Sequence, residues 1–143
     1  MSISFNYADK KVSLTYRNLL KSFITKQVRK EGLSISQLQY VFCSDKYLLD
    51  INRQFLNHDY YTDIISFDLS ETKGELIAEV YISIDRVRDN AFKLKTTIKE
   101  ELLRVIFHGA LHFCGYKDKK PIDVDLMRSM ENKWINAYLK QIK

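Results

Sequence analysis

The sequence predicts an α+β (mixed α/β) fold, with helices packed on a sheet of about four strands. Short segments in which apolar and polar residues alternate, the period of half-buried strands, are interspersed with longer segments whose apolar residues recur every three or four positions, the period of helices. The predicted order is strand, helix, strand, helix, then two strands, then three helices. The 143 residues are 45% hydrophobic and 29% charged, which indicates one globular domain over residues 1–143.

The first half of the chain is predicted to form two strand–helix pairs. Residues 2–7 alternate and predict the first strand. A helix is predicted over residues 13–31, where apolar residues recur every three or four positions, and Gly32 is its natural stop. Residues 37–43 predict the second strand, and residues 44–56 a helix that begins with a Ser-Asp cap. The side chains predicted to be buried on these two helices are Leu14, Leu19, Leu20, Phe23, Ile24, Val28, Leu48, Leu49, Ile51 and Phe55.

The middle of the chain is predicted to form a hairpin and a third helix. Residues 57–61 are polar and aromatic and indicate a loop. Residues 63–69 and 76–84 predict two strands, joined by a short turn that contains a glycine. A helix capped by Ser83 or Asp85 then extends to about Leu94.

Two helices complete the predicted fold. Thr97 and Glu100 form a capping box for a helix over residues 98–114. Pro121 suits the first turn of a last helix that extends to about residue 141. The side chains predicted to be buried on this last helix are Ile122, Leu126, Met130, Trp134, Ile135, Tyr138 and Leu139.

The helix over residues 98–114 carries two histidines in metal-chelating geometry. His108 and His112 are four residues apart, so both imidazoles project from one face about one turn apart. Gly115 allows the chain to turn and bring Asp118 towards the same point. Two imidazoles and a carboxylate leave a fourth position open on a tetrahedral zinc ion, as in catalytic zinc sites. The alternative is a partly buried histidine pair that is hydrogen-bonded in the core.

The spacing of these residues also parallels that of the zinc peptidases. Their pattern His-Glu-x-x-His-x-x-Gly-x-x-His places a glutamate, the general base, directly after the first histidine. Gly109 occupies that position in this chain. The sequence therefore favours a metal site but disfavours a zinc peptidase.

Residues 108–118, His-Gly-Ala-Leu-His-Phe-Cys-Gly-Tyr-Lys-Asp, resemble the signature His-Gly-x-Leu-His-Leu-x-Gly-Tyr-Asp-His of the YbeY-type endoribonucleases, or rRNA maturation factors. Upstream, residues 62–67 are similar to the family's Thr-Asn/Asp-Val-Leu-Ser-Phe strand, and residues 78–83 to its Gly-Asp-Ile-x-Ile-Ser strand. The resemblance covers nearly the whole chain and is most specific over residues 50–118. The signature positions that match are His108, Gly109, Leu111, His112, Gly115 and Tyr116.

The resemblance implies a metal-dependent endoribonuclease with one zinc ion per chain, held by His108, His112 and Asp118. Asp118 stands where the family usually has a histidine, and aspartate is an acceptable zinc ligand. Leu56 stands where the family commonly has an arginine proposed to act in catalysis, and Arg53 lies one helical turn earlier.

Function and partners follow from the same resemblance. A zinc-bound water would attack an RNA phosphodiester, since zinc lowers the pKa of water towards ~7. The implied substrate is a single-stranded rRNA precursor, the implied roles are rRNA 3′-end maturation and ribosome quality control, and the implied partner is the small ribosomal subunit. The alternative is a non-enzymatic ribosome assembly factor with a structural metal, which the open fourth coordination position disfavours.

Four further residues are candidates for the chemistry. Arg104, one turn before His108, and Lys117, between the ligands, are candidates for stabilising charge on a five-coordinate phosphorus. Glu79 is a candidate for holding a ligand imidazole, and His58 for a proton donor or RNA contact. The alternatives are solvated basic residues and an ordinary loop histidine.

Composition gives weaker indications of partner and compartment. A net charge of +5 and a pI of about 9.1 are compatible with a polyanionic partner. No apolar run approaches the roughly 20 residues that span a bilayer, and the N-terminus lacks a signal-peptide pattern. We therefore expect a cytoplasmic protein without a membrane partner. Cys43 and Cys114 are too few for a disulfide scaffold and are predicted to be reduced core thiols.

Overall fold

A computed structural model describes residues 2–142 and confirms the predicted fold class. The order of strands and helices is also the one predicted. The elements are β1 (Ile3–Tyr7), α1 (Arg17–Lys30), β2 (Ser34–Cys43), α2 (Asp45–Leu56), β3 (Ile64–Asp68), β4 (Glu75–Ser83), α3 (Ile84–Leu94), α4 (Ile98–Phe113) and α5 (Pro121–Gln141). Among residues 2–142, no helix combines the length and apolar character needed to cross a membrane.

The four strands form one mixed sheet in the order β1-β2-β4-β3. β1, β2 and β4 run parallel to one another, with Phe5 opposite Tyr40 and Tyr40 opposite Val80. β3 runs antiparallel to β4, which confirms the predicted hairpin. Parallel neighbours need a crossover connection, and α1 supplies it between β1 and β2.

The two faces of the sheet are covered unequally. The main core lies between the sheet and helices α1, α4 and α5, and Ala78, Val80 and Ile82 of β4 point into it. Because successive residues of a strand point to opposite faces, Tyr81 belongs to the other face. There it packs against a smaller cluster beneath α2, built on Cys43, Leu48 and Ile65.

Helix α4 lies close to the sheet because Gly109 has no side chain. A Cβ atom at this position would lie 3.1 Å from Ile64 Cδ1 and 3.3 Å from Val80 Cγ1, closer than ordinary van der Waals contact. Tyr40 of β2 also donates a buried hydrogen bond of 3.0 Å to the carbonyl oxygen of Ile106. These contacts place the C-terminal half of α4 beside β3 and β4.

Two predicted boundaries are wrong for identifiable reasons. α1 begins at Arg17 rather than at residue 13, because Tyr16 adopts a left-handed conformation (φ 53°) that a right-handed helix does not contain. β2 begins at Ser34 rather than at residue 37, because the register shifts between Ile35 and Gln37. A bulge of this kind interrupts the alternation from which a strand is predicted.

Three side chains predicted to be buried are exposed. Phe55, at the end of α2, is 63% exposed, and Ile122 and Leu126 of α5 are exposed as well. The buried face of α5 instead begins at Met127. The cysteines are unpaired, and burial raises the pKa of both Cys43 and Cys114 to about 12.

We expect Gly109→Glu to destabilise the fold by about 2–3 kcal/mol. The new side chain would start against Ile64 and Val80, where extra volume strains the packing and a carboxylate is desolvated. The measurement is urea unfolding followed by circular dichroism. The matched control is Lys99→Glu, an exposed position of the same helix, which should change the free energy of unfolding by no more than about 0.5 kcal/mol. Equal stability of the two variants would contradict the close approach of α4.

Candidate metal and RNA-processing site

The two histidines lie on the last two turns of α4. His108 is half-buried and His112 is exposed. Their rings are nearly parallel, with centroids 6.2 Å apart and an interplanar angle of 8°. This is the arrangement expected for side chains four residues apart on a helix.

Both ring nitrogens of His108 face carboxylates. Nδ1 lies 2.7 Å from Glu131 Oε2, and Nε2 lies 3.1 Å from Asp118 Oδ2. Burial by itself lowers the pKa of His108, but the hydrogen bond to Glu131 and the charges of Glu131, Asp118 and Asp63 outweigh it. The pKa of His108 is therefore raised above its ordinary value.

His112 is oriented by the turn that follows α4. Its Nδ1–H donates to the carbonyl oxygen of Tyr116, 3.1 Å away, which in the neutral ring leaves the lone pair on Nε2. Gly115 makes this turn with a φ of 104°, which favours glycine. The Tyr116 hydroxyl in turn donates to Glu31 Oε1 at 3.0 Å, which ties the turn to the end of α1.

Glu131 of α5 is a buried carboxylate, only 4% exposed, and Arg104 supports it. Arg104 Nη1 lies 3.2 Å from Glu131 Oε1 and donates to Asn132 Oδ1 at 2.8 Å. Arg104 Nε also lies 3.7 Å from Glu101 Oε2. Burial raises the pKa of Glu101, although Arg104 opposes this. The predicted catalytic residue Arg104 is thus engaged by Glu131, which also holds His108, and by Glu101.

Two cavities meet at His108 and Asp118. The histidine cavity, of about 340 Å³, extends towards β3 and the loop after α2. The arginine cavity, of about 430 Å³, lies between α3, α4 and α5 and contains Arg104, Arg128 and Lys93. The histidine cavity is lined by Asn52, Leu56, His58, Tyr60, Thr62, Ile64, Ile65, Ser66, His108, His112, Asp118 and Lys119.

Comparison with known proteins decides the family. The family model described as Endoribonuclease YbeY matches residues 2–139. A relative named Endoribonuclease YbeY from Cytophaga hutchinsonii is 48% identical over 131 residues, 92% of each chain. Another of that name, from Flavobacterium psychrophilum, is 46% identical over 95% of this chain and 96% of its own. The chain belongs to the YbeY family.

The fold of this YbeY-family chain also has a solved counterpart. The solution structure of TM1509 from Thermotoga maritima superposes with a TM-score of 0.62. The match covers 98% of this chain and 91% of the other, at 23% sequence identity. At this identity the likeness concerns the fold alone.

His58 lines the histidine cavity, whereas Lys117 lines neither of the two cavities. His58 lines the histidine cavity, where its ring stacks on Tyr60 with centroids 5.1 Å apart and its Nδ1 lies 2.9 Å from the Tyr60 hydroxyl. Lys117 is exposed and is not among the described residues that line either cavity. Lys119, two residues later, lines the histidine cavity instead.

The position where the YbeY family commonly has an arginine is apolar in this chain. Leu56 lines the histidine cavity at that position. Arg53 is exposed and forms a hydrogen-bonded ion pair with Asp59. Within the described part of the chain, Arg53 is not among the residues that line the cavity, so it does not take over this place.

Glu79 does not hold an imidazole. It shares the α2 face of the sheet with Tyr81, whose hydroxyl lies 3.2 Å from Glu79 Oε1, whereas Val80 points towards α4. The residue that holds His108 is Glu131, which is not among the candidates predicted from the sequence. One signal was available: Glu131 lies between Met127 and Trp134 on the buried stripe of α5, where a charged side chain requires a partner.

The donor chemistry at this site fits zinc. Two ligands of one tetrahedral zinc ion, each about 2.0 Å from it, lie about 3.3 Å apart, and His108 Nε2 is 3.1 Å from Asp118 Oδ2. His112 follows one turn later and lines the same cavity as these two residues. Across residues 2–142, however, no group of three or more His, Cys, Asp or Glu side chains is placed to hold a metal ion as it stands. Binding through all three ligands therefore requires a side-chain movement.

We expect Glu131→Gln to lower zinc affinity about tenfold, because the amide lacks the charge that makes the bound imidazole a stronger ligand. The measurement is zinc competition with a chromophoric chelator, which reports binding independently of activity. The control is Asp125→Asn, which removes one negative charge from an exposed position of the same helix and should leave the affinity unchanged. Zinc affinity equal to wild type in Glu131→Gln would show that Glu131 does not tune a ligand.

Proposed function

We propose that this chain is a zinc-dependent endoribonuclease that cleaves single-stranded RNA. The observation that carries the proposal is that His108, His112 and Asp118 line one cavity in a chain of the YbeY family. The relatives from Cytophaga hutchinsonii and Flavobacterium psychrophilum bear the name of an endoribonuclease. The proposal therefore joins a family relationship to a donor set of suitable chemistry.

The metal would be held by His108 Nε2, His112 Nε2 and the Asp118 carboxylate. When bound, zinc supplies Lewis acidity that activates water and polarises a phosphoryl oxygen. Glu131 keeps the proton on Nδ1 of His108, so that Nε2 is the ligating nitrogen. The carbonyl oxygen of Tyr116 does the same for His112.

Other side chains at the site would bind the RNA. Lys119 lies beside His112 and Asp118 and can neutralise a phosphate. The stacked pair of His58 and Tyr60 offers an aromatic surface for unpaired bases, the element that sequence-tolerant readers of single strands use. Arg104 acts as a positioning residue, because its guanidinium holds Glu131 rather than facing the histidine cavity.

We further propose that the substrate is an rRNA precursor, with roles in 3′-end maturation and ribosome quality control. The small ribosomal subunit is the partner that this role requires, and the cytoplasm is its location. The net charge of +5 suits such a polyanionic substrate. A zinc peptidase is further disfavoured, because a side chain at residue 109 would meet Ile64 and Val80, and Gly109 itself does not line the histidine cavity.

The test is cleavage of an end-labelled single-stranded rRNA precursor fragment by wild-type protein and by His112→Ala, each with and without a chelator. We expect cleavage by untreated wild type, and a loss of at least about a hundredfold on chelation or in His112→Ala, because a bound zinc ion would activate the attacking water and stabilise the developing charge. Asn136→Ala, an exposed position of α5, is the control and should cleave as wild type does.

Two other results would change the conclusion. Equal cleavage by wild type and His112→Ala would identify the activity as a contaminant. If neither protein cuts while both bind the RNA, the chain acts as a non-enzymatic assembly factor.

A further inference from the structure

The face of the sheet opposite α4 carries an open groove. We call it the aromatic groove: it lies between α2 and the β3–β4 hairpin, has a volume of about 500 Å³, and is lined by Tyr47, Asp50, Ile51, Gln54, Phe55, Phe67, Leu69, Glu79 and Tyr81. α2 covers only part of this sheet face, over the small cluster of Cys43, Leu48 and Ile65. The remainder is open to solvent.

A row of aromatic rings forms the apolar part of the groove. Phe55 meets Phe67 edge to face with centroids 6.0 Å apart, and Phe67 meets Tyr81 in the same way at 6.0 Å. Although this row is packed, Phe55 is 63% exposed and Leu69 is 50% exposed. A contiguous exposed apolar surface of this kind marks an interaction site more often than an isolated exposed residue does.

The charge of the groove determines which class of partner fits it. Asp50 and Glu79 are acidic, and no lysine or arginine of residues 2–142 is among the lining side chains. This contrasts with the net charge of +5 of the whole chain. Two carboxylates repel the phosphates of RNA and attract lysine or arginine side chains, with which they form charge-assisted hydrogen bonds.

We propose that the aromatic groove binds a segment of a partner protein that presents an aliphatic or aromatic anchor flanked by lysine or arginine. The anchor packs on Phe55, Phe67 and Leu69, and the basic residues pair with Asp50 and Glu79. This site is separate from the RNA site, because Phe55 and Leu56, although adjacent in α2, line different cavities. We therefore expect the partner and the RNA to bind at the same time.

The test begins with a phage-displayed library of random 12-residue peptides, selected on the full chain. Binders are counter-selected on the double variant Phe55→Ser/Leu69→Ser, whose exposed positions leave the fold intact. We expect the groove-dependent binders to combine leucine or phenylalanine with flanking lysine or arginine. Acidic binders, binders without an apolar anchor, or the absence of any groove-dependent binder would overturn the proposal.

The strongest peptide is then synthesised and its Kd measured by fluorescence anisotropy. Phe55→Ser should weaken binding at least tenfold, and Glu79→Gln about threefold to tenfold with a smaller salt dependence, because one carboxylate is removed. The control is Phe92→Ser on α3, which removes an 85% exposed aromatic ring outside the groove and should leave the Kd unchanged. Equal effects of Phe55→Ser and Phe92→Ser would place the peptide elsewhere.

The last measurement is a competition between the bound peptide and a single-stranded RNA oligonucleotide. At saturating concentration it should not displace the peptide, since the two sites are distinct. Competitive displacement would make the groove part of the RNA surface and would overturn the assignment to a protein partner.

Discussion

The site depends on one buried carboxylate. An ionised Glu131 at 4% exposure would cost several kcal/mol if it were unpaired, so both of its oxygens require partners. Arg104 meets Oε1 and His108 meets Oε2, and both partners come from α4. The contact therefore fastens α5 to α4 and fixes the orientation of the His108 ring at the same time. The contacts of Glu131 therefore contribute both to the stability of the fold and to the orientation of His108, so a substitution of Glu131 affects both.

A second constraint acts on the opposite side of α4. Gly109 allows the helix backbone to approach β3 and β4. The side chain of the neighbouring His108 contacts Asp118. A side chain at 109 would push the helix away from Ile64, which lines the histidine cavity itself. The glycine that separates this pattern from that of the zinc peptidases is thus explained by packing.

The order of elements could be predicted from the sequence because strand and helix periods are local properties. The relative placement of His108 and His112 could also be predicted, because both residues lie on one helix. Glu131 could not be assigned to His108 in this way, since the two are 23 residues apart and meet only when α4 packs on α5. The face of Glu79 could not be predicted for a related reason: alternation shows that Glu79 and Val80 point to opposite faces of the sheet, but only tertiary packing shows which of them faces α4. The resemblance to a family located the candidate ligands without supplying these contacts.

The two sides of the sheet carry different sets of charged side chains. The arginine cavity contains Lys93, Arg104 and Arg128 together with four carboxylates, and the histidine cavity contains Lys119 and Asp118. The aromatic groove beneath α2 carries two acids, and Phe55 is exposed there although it follows the apolar period of its helix. A net charge describes neither surface, because it averages over both. Because two carboxylates repel phosphates, RNA would not compete for the groove with the basic protein segment proposed above.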